Sequence, residues 1–123
     1  PDFAALFGPG SRAEVALAGR IPGLPEAKPV RGQVDRLVIN DHEVLIVDYK
    51  TNRPPPKRVE DVATLYITQM AAYRALLQAM HAGKPVRCAL LWTDGARLMG
   101  IPEAMMDGAL DRLRHLDGAP LNS

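Results

Sequence analysis

Two neighbouring segments of the chain are apolar except for a few polar residues at one end of each, and this pattern predicts a β-hairpin from Gly32 to Thr51. The turn Asn40–Glu43 separates the two runs, and a two-residue loop at its centre sets the pairing of the strands. Continuing that register along the hairpin places Asp35 directly opposite Asp48. The sequence therefore predicts two carboxylates side by side at the open end of the hairpin.

Side chains alternate between the two faces of a strand, and this alternation assigns neighbours to the two carboxylates. Lys50 falls on the face of Asp48, and Gln33 lies opposite Lys50. The rest of this face is apolar, with Leu37, Ile39, Val44 and Ile46. Like charges at directly opposed positions destabilise a sheet, and unpaired burial of carboxylates is unfavourable. A divalent cation between Asp35 and Asp48 would remove the repulsion, and Mg²⁺ prefers such oxygen ligands.

Apolar periodicity and turn residues predict the remaining elements. They are a loop or linker at Pro1–Arg12, a strand at Glu14–Ile21, a loop at Pro22–Pro29, a helix at Val59–His81, strands at Val86–Trp92 and Arg97–Ile101, and a helix at Glu103–Leu116. The first three strands follow one another as an antiparallel meander, whereas a helical crossover makes the fourth strand parallel to its neighbour. The sequence predicts an α/β fold, a mixed sheet flanked by helices.

Composition narrows the class of protein without identifying it. The chain has 123 residues and a net charge of +1, enough for one domain with a single core. A single cysteine, Cys88, excludes an internal disulfide and a Cys₄ metal site within this chain. No apolar run approaches the roughly 20 residues that span a membrane, and no secretory signal is visible, so we expect a cytoplasmic protein without a membrane partner. Because the chain starts at Pro1 without methionine, we expect a piece of a longer polypeptide.

An aspartate on one strand followed by Asp-x-Lys at the end of the next resembles the PD-(D/E)XK nuclease superfamily. In this sequence those residues are Asp35, Asp48 and Lys50. The resemblance implies the restriction-endonuclease-like fold, in which a mixed sheet carries the site.

Three segments make the resemblance more specific. Gly32–Leu37 resembles the GxxDR segment of RecB-type nucleases, Val47–Thr51 resembles their VDYKT segment, and Gln69–Tyr73 resembles their QxxxY motif. The segments occur in the family's order with short gaps. The chain looks most like the C-terminal nuclease domain of AddA-type helicase–nuclease subunits, as a single domain over residues 1–123 that lacks an upstream helix.

The resemblance implies a role for each matching residue. Asp35 and Asp48 would bind the metal together with the main-chain carbonyl of Tyr49, and Lys50 would be the catalytic lysine. Residues near the site that contact DNA or brace the lysine would be Gln69, Tyr73, Thr51 and Gln33.

The resemblance also implies cofactors and partners. The activity would be a Mg²⁺-dependent exonuclease acting on DNA, with Mn²⁺ able to substitute, since the metal activates water and acts as a Lewis acid. ATP would serve only helicase domains elsewhere in the same polypeptide. A second subunit would complete a nucleoid-associated complex that processes DNA double-strand breaks.

One feature departs from the family pattern. RecB-type nucleases usually carry a further ligand, often histidine, on a helix upstream of the first strand, but no histidine precedes His42. We therefore expect an incomplete metal site in this chain, and an isolated fragment without activity would fit that expectation.

Three other interpretations stay open from the sequence alone. The first is a non-catalytic DNA-binding or assembly domain on the same fold. The second is an iron–sulfur type of RecB-like nuclease, although Cys88 is the single cysteine. The third is an unrelated α/β domain in which Lys50 forms a structural ion network with Asp35 and Asp48, and it predicts tolerance of Asp48→Asn.

Overall fold

A computed structural model describes residues 10–20, 30–52 and 54–118 of the chain. These residues form one five-stranded sheet with strand order β1-β2-β3-β4-β5 and two helices. The elements are β1 (Ser11–Gly19), β2 (Val30–Ile39), β3 (Val44–Lys50), α1 (Thr64–Met80), β4 (Val86–Trp92), β5 (Arg97–Gly100) and α2 (Glu103–Gly118).

Strand directions follow the predicted pattern. β1, β2 and β3 form an antiparallel meander, β3 and β4 are parallel, and β4 and β5 are antiparallel. The crossover between the parallel strands runs through α1, as the periodicity predicted. The predicted fold class, a mixed sheet with helices, is confirmed. In the described part of the chain, neither helix is long and apolar enough to cross a membrane.

Two elements begin three or more residues away from their predicted starts. β1 begins at Ser11 instead of Glu14, because β2 is long enough to pair with it up to Val38. α1 begins at Thr64, and the preceding residues Val59–Asp61 form a separate 3₁₀ turn. Val62 lies between this turn and the helix, and its backbone is extended. The loop predicted at residues 22–29 lies outside the described residues.

The main core lies between one face of the sheet and α1, with α2 packed alongside α1. Its completely buried side chains are Val34, Val44, Ile46, Leu90 and Trp92. A smaller apolar cluster occupies the other face of the sheet, around Val38, Val47 and Ala89. Cys88 is buried in the main core, and desolvation raises the pKa of its thiol to about 12.

A buried arginine on α1 ties the two helices to the sheet. Arg74 is 5% exposed, and its Nε donates to the carbonyl of Val86 at 3.3 Å. Its Nη1 and Nη2 donate to Asp107 at 2.8 Å and to Glu103 at 2.6 Å on α2. The sequence pattern does not single out this residue, because an arginine within an apolar helix repeat gives no signal of its partners.

Candidate active site

The closed end of the β2–β3 hairpin is regular. Ile39 pairs with Val44 at the turn. The side-chain oxygen of Asn40 accepts the N–H groups of His42 at 2.8 Å and Glu43 at 2.9 Å. These bonds form an Asx-type turn, which holds the two strands in one register.

At the open end of the hairpin, carboxylates replace the backbone ladder. The last backbone pair is Arg36 with Val47, in the predicted register. Beyond it, the N–H of Asp35 donates to Oδ1 of Asp48 at 3.2 Å. The N–H of Tyr49 donates to Oδ2 of Asp35 at 2.7 Å. The structure thus brings the two predicted carboxylates together where the strands diverge.

A local change in β1 and β2 explains how Asp35 reaches across the hairpin. Asp35 and Glu14 are skipped in the otherwise continuous pairing of these strands, and Glu14 has a φ of 53°. Val34 and Leu37 both lie in the main core although they are three residues apart. The alternation of sides therefore slips by one position at Asp35, and its N–H is directed at Asp48 instead of β1.

Asp48 is a buried carboxylate, with 6% of the residue exposed. Burial raises its pKa above the ordinary value, and the negative charge of Asp35 raises it further. The hydrogen bond from the Asp35 N–H and the positive charge of Lys50 act in the opposite direction and are outweighed. The ionised form of Asp48 is thus electrostatically unfavourable, and additional positive charge would relieve it.

Lys50 lies beside Asp48, with 3.8 Å between Nζ and Oδ2. Its ammonium also lies over the aromatic ring of Tyr66, 4.0 Å from the ring centroid. The sequence pattern does not single out Tyr66. The available signal was its place near the start of the apolar face of α1, the first α-helix after β3.

Tyr73 lies over β2 on the same side of the sheet. The hydroxyl is so close to Gly32 that an added Cβ there would be 2.1 Å from it. The N–H of Gln33 faces the phenolic oxygen, while burial and the charges of Asp48 and Asp35 raise the pKa of Tyr73. The glycine of the GxxDR segment is therefore explained by close approach of the tyrosine of QxxxY.

The other predicted site residues lie at different distances from this centre. Gln69 is half-buried on α1, one turn before Tyr73, and Thr51 is exposed directly after β3. The side chain of Gln33 is exposed, and its neighbour Val34 is buried in the main core. Because of the slip at Asp35, the predicted placement of the Gln33 side chain beside Lys50 is wrong, and only its main chain reaches Tyr73.

A comparison with protein-family models matches residues 7–117 to the PD-(D/E)XK nuclease superfamily. The chain belongs to this superfamily. Its members typically use divalent metal ions. The three residues that the sequence motif singled out, Asp35, Asp48 and Lys50, lie together at the open end of the β2–β3 hairpin. A comparison with curated proteins gave no significant match.

Among solved structures, this PD-(D/E)XK domain is similar to the crystal structure of the protein SSO0001, with a TM-score of 0.50 and 16% sequence identity. The similarity covers 92% of this chain and 54% of that one, so the chain spans about half the length of SSO0001. At this identity the likeness concerns the fold, and it agrees with the mixed sheet described above.

The oxygen donors at the end of this hairpin fit a hard divalent cation. Asp35 and Asp48 supply carboxylates, and the carbonyl of Tyr49 lies beyond the last pair of the β2–β3 ladder. Within residues 10–20, 30–52 and 54–118, no group of three or more His, Cys, Asp or Glu side chains is placed to hold a metal. Two carboxylates are nevertheless a usual protein contribution to a Mg²⁺ site, where water and substrate phosphates complete the shell.

Proposed function

We propose that this domain is a metal-dependent deoxyribonuclease that hydrolyses phosphodiester bonds. The observation that carries the proposal is the placement of Asp35, Asp48 and Lys50 together at the open end of one hairpin. A structural role alone would not require two mutually repelling carboxylates on a buried face.

In this proposal, the carboxylates of Asp35 and Asp48 and the carbonyl of Tyr49 bind Mg²⁺, for which Mn²⁺ can substitute. When bound, the cation lowers the pKa of water and takes up negative charge on the phosphate. The raised pKa of Asp48 supports the assignment, since a nearby positive charge stabilises its ionised form.

Lys50 contributes a fixed positive charge next to the carboxylates. Its ammonium is placed to contact a phosphate oxygen of the scissile bond and to stabilise the charge that develops there. Tyr73 and Gln69 on α1 border the same side of the sheet, where they position Lys50 or contact DNA. Thr51, exposed at the end of β3, is available to a DNA strand.

We further propose that residues 1–123 are a nuclease domain within a longer, AddA-type helicase–nuclease polypeptide. The GxxDR, DYKT and QxxxY segments, in that order, support this assignment. The implied activity is exonucleolytic processing of DNA double-strand breaks in a nucleoid-associated complex. ATP would drive the helicase domains of the same polypeptide, and a second subunit would complete the complex.

The test compares metal binding and DNA cleavage in matched variants. Calorimetric titration with Mg²⁺ or Mn²⁺ should show binding to the wild type and none to Asp48→Ala. The control Asp107→Ala removes a carboxylate outside the site and should keep the affinity. In the full-length polypeptide, Lys50→Ala should lower kcat for linear DNA by about 10²- to 10³-fold without unfolding the domain. Unchanged cleavage in Lys50→Ala would contradict the assigned role.

A second candidate function is DNA binding or assembly without catalysis. The observation that favours it is that the described residues supply only two clustered carboxylates and no third metal-binding side chain. This alternative predicts that the full-length wild type binds DNA but leaves it uncut at saturating Mg²⁺. Cleavage that is lost in Asp48→Ala would exclude it.

A further inference from the structure

We propose that Tyr66 is a positioning residue for Lys50, whose ammonium it holds beside the carboxylates through the face of its ring. The inference rests on the proposed nuclease function, because it concerns the residue to which that function assigns charge stabilisation. Its starting point is the 4.0 Å separation between Nζ of Lys50 and the ring centroid of Tyr66.

The main chain of Lys50 is fixed by its neighbour in the sheet. The carbonyl oxygen of Lys50 accepts two hydrogen bonds from Thr93, one from the Thr93 N–H at 2.9 Å and one from the Thr93 hydroxyl at 3.1 Å. In the parallel register Lys50 lies next to Trp92, which is completely buried. These contacts settle where the side chain starts, but they leave the position of its flexible end undetermined.

The carboxylate of Asp48 does not fix that end. The distance of 3.8 Å between Nζ and Oδ2 is longer than the roughly 2.7–2.9 Å of a charge-assisted hydrogen bond. The ring of Tyr66, in contrast, lies well within the roughly 6 Å over which an aromatic face attracts a cation. Of these two contacts, the aromatic one is the better placed to locate the ammonium.

Tyr66 is itself well anchored. It lies in the first turn of α1, where its N–H donates to the carbonyl of Ala63 at 3.0 Å, and it packs against the main core. The ring is half-buried, so it has an apolar support on one side and Lys50 over its face. A rigid element thus determines the location of a charge on a flexible side chain.

An aromatic face suits a lysine that must contact phosphate. It attracts the positive charge but accepts no proton, and the N–H donors that point away from the ring stay available. A third carboxylate in the same place would bind those donors and add negative charge beside Asp35 and Asp48. Tyr66 can therefore hold the ammonium of Lys50 in place and still leave it N–H donors for a phosphate.

The experiment compares Tyr66→Leu with Tyr66→Phe in the full-length polypeptide, with Lys50→Ala as the reference. The readouts are kcat and KM for linear DNA, Mn²⁺ affinity by calorimetry, and the NMR shift of the Lys50 ε-methylene group. Leu65→Ala, a change at an exposed neighbour on α1, controls for disturbance of the helix. Tyr66→Met replaces the leucine variant if that variant does not fold.

We expect Tyr66→Leu to lower kcat roughly 10- to 100-fold, because small errors in the position of a catalytic group have effects of this size. KM and Mn²⁺ affinity should stay near the wild-type values, and the ring-current shift of the Lys50 methylene should disappear. Tyr66→Phe keeps the ring face and should retain both the activity and the shift. Leu65→Ala should behave as the wild type.

Different results overturn different statements. Wild-type kcat in Tyr66→Leu together with an inactive Lys50→Ala would reject the positioning role and leave the proposed function intact. Equal losses in Tyr66→Phe and Tyr66→Leu would also reject it, since the hydroxyl and not the ring face would then matter. Wild-type cleavage by Lys50→Ala would reject the proposed role of the lysine, and the positioning role with it.

Discussion

Two charged residues are buried in the described part of this domain, and their surroundings differ. Arg74 donates hydrogen bonds of 2.6 and 2.8 Å to two carboxylates and one of 3.3 Å to a carbonyl. Both of its acidic partners are largely exposed, with side-chain exposures of 76% for Glu103 and 64% for Asp107. Asp48 instead lies next to a second carboxylate, Asp35, and its cation Lys50 is 3.8 Å away.

The difference separates a structural ion cluster from a candidate catalytic one. Each of the three side-chain nitrogens of Arg74 has a hydrogen-bond partner, and the opposite charges remain in contact with water, so the cluster is electrostatically satisfied. At Asp48 like charges adjoin, burial raises the pKa, and the nearest cation is too far for a short hydrogen bond. Unfavourable electrostatics of this kind are typical of a site that binds a metal ion or a phosphate.

The largest stability effect should come from Arg74. Arg74→Ala removes a buried side chain and its three hydrogen bonds, and we expect unfolding by urea to show a loss of about 3 kcal/mol. The matched control is Arg87→Ala, which breaks a two-bond pair with Glu43 at a side chain that is 64% exposed. That change should cost less than about 1 kcal/mol. Equal losses in both variants would remove the distinction between buried and exposed clusters.

Gly32→Ala should cause a smaller loss of stability, because it affects only the side of α1 that faces the candidate site. Tyr73 and Arg74 are adjacent in α1, yet one faces the site and the other ties α1 to α2. Gly32→Ala places a Cβ 2.1 Å from the Tyr73 hydroxyl, so we expect a destabilisation of about 2 kcal/mol in urea unfolding and a displaced tyrosine. Gly100→Ala meets no atom within 4 Å and should change stability little. Similar stability of the two variants would show that the close approach is unimportant.

The smallest effects should have opposite signs in the two clusters. Asp48→Asn keeps an oxygen that accepts the Asp35 N–H and removes the unfavourable charge, so the metal-free protein should become more stable at pH 7. Because the folded-state pKa of Asp48 is raised, wild-type stability falls as pH rises from about 4 through that folded pKa, and the variant lacks this slope. Melting temperatures in the presence of EDTA, measured from pH 3 to 7, record the difference.

Asp107→Asn is the matched control for this change. It removes a charge that pairs favourably with Arg74 at 2.8 Å, so it should lower stability at pH 7 by up to about 1 kcal/mol. A stabilising Asp107→Asn, or a destabilising Asp48→Asn, would break the proposed contrast. The Asp48 variant should also bind no Mn²⁺, whereas a structural ion network would tolerate the substitution.

Local pattern was sufficient for part of the fold and the site. The two-residue loop after Asn40 predicted the β2–β3 register, which the structure confirms up to Arg36 and Val47. The helical spacing predicted α1 and hence the parallel partner of β3. These features depend on contacts between residues close in sequence, so their periodicity carries the information.

Predictions that extended the local pattern too far were wrong. Strict alternation placed the Gln33 side chain next to Lys50, but the slip at Asp35 puts Val34 into the core instead. The helix was extended to Val59 because apolar residues continue the repeat, whereas Val62 adopts an extended conformation. Backbone irregularities of this kind depend on neighbouring strands and helices, and a single strand or helix pattern does not encode them.

The sequence by itself determined which residues could form the site: two aspartates opposed across a hairpin and a lysine two residues further on. Only the tertiary structure decided how they are used, because α1 brings Tyr66 over Lys50 and Tyr73 over Gly32 from a distant part of the chain. The same packing directs Arg74 to α2 and Val86. Local spacing selects the elements, and the burial of the apolar face of α1 against the sheet selects the partners of each side chain.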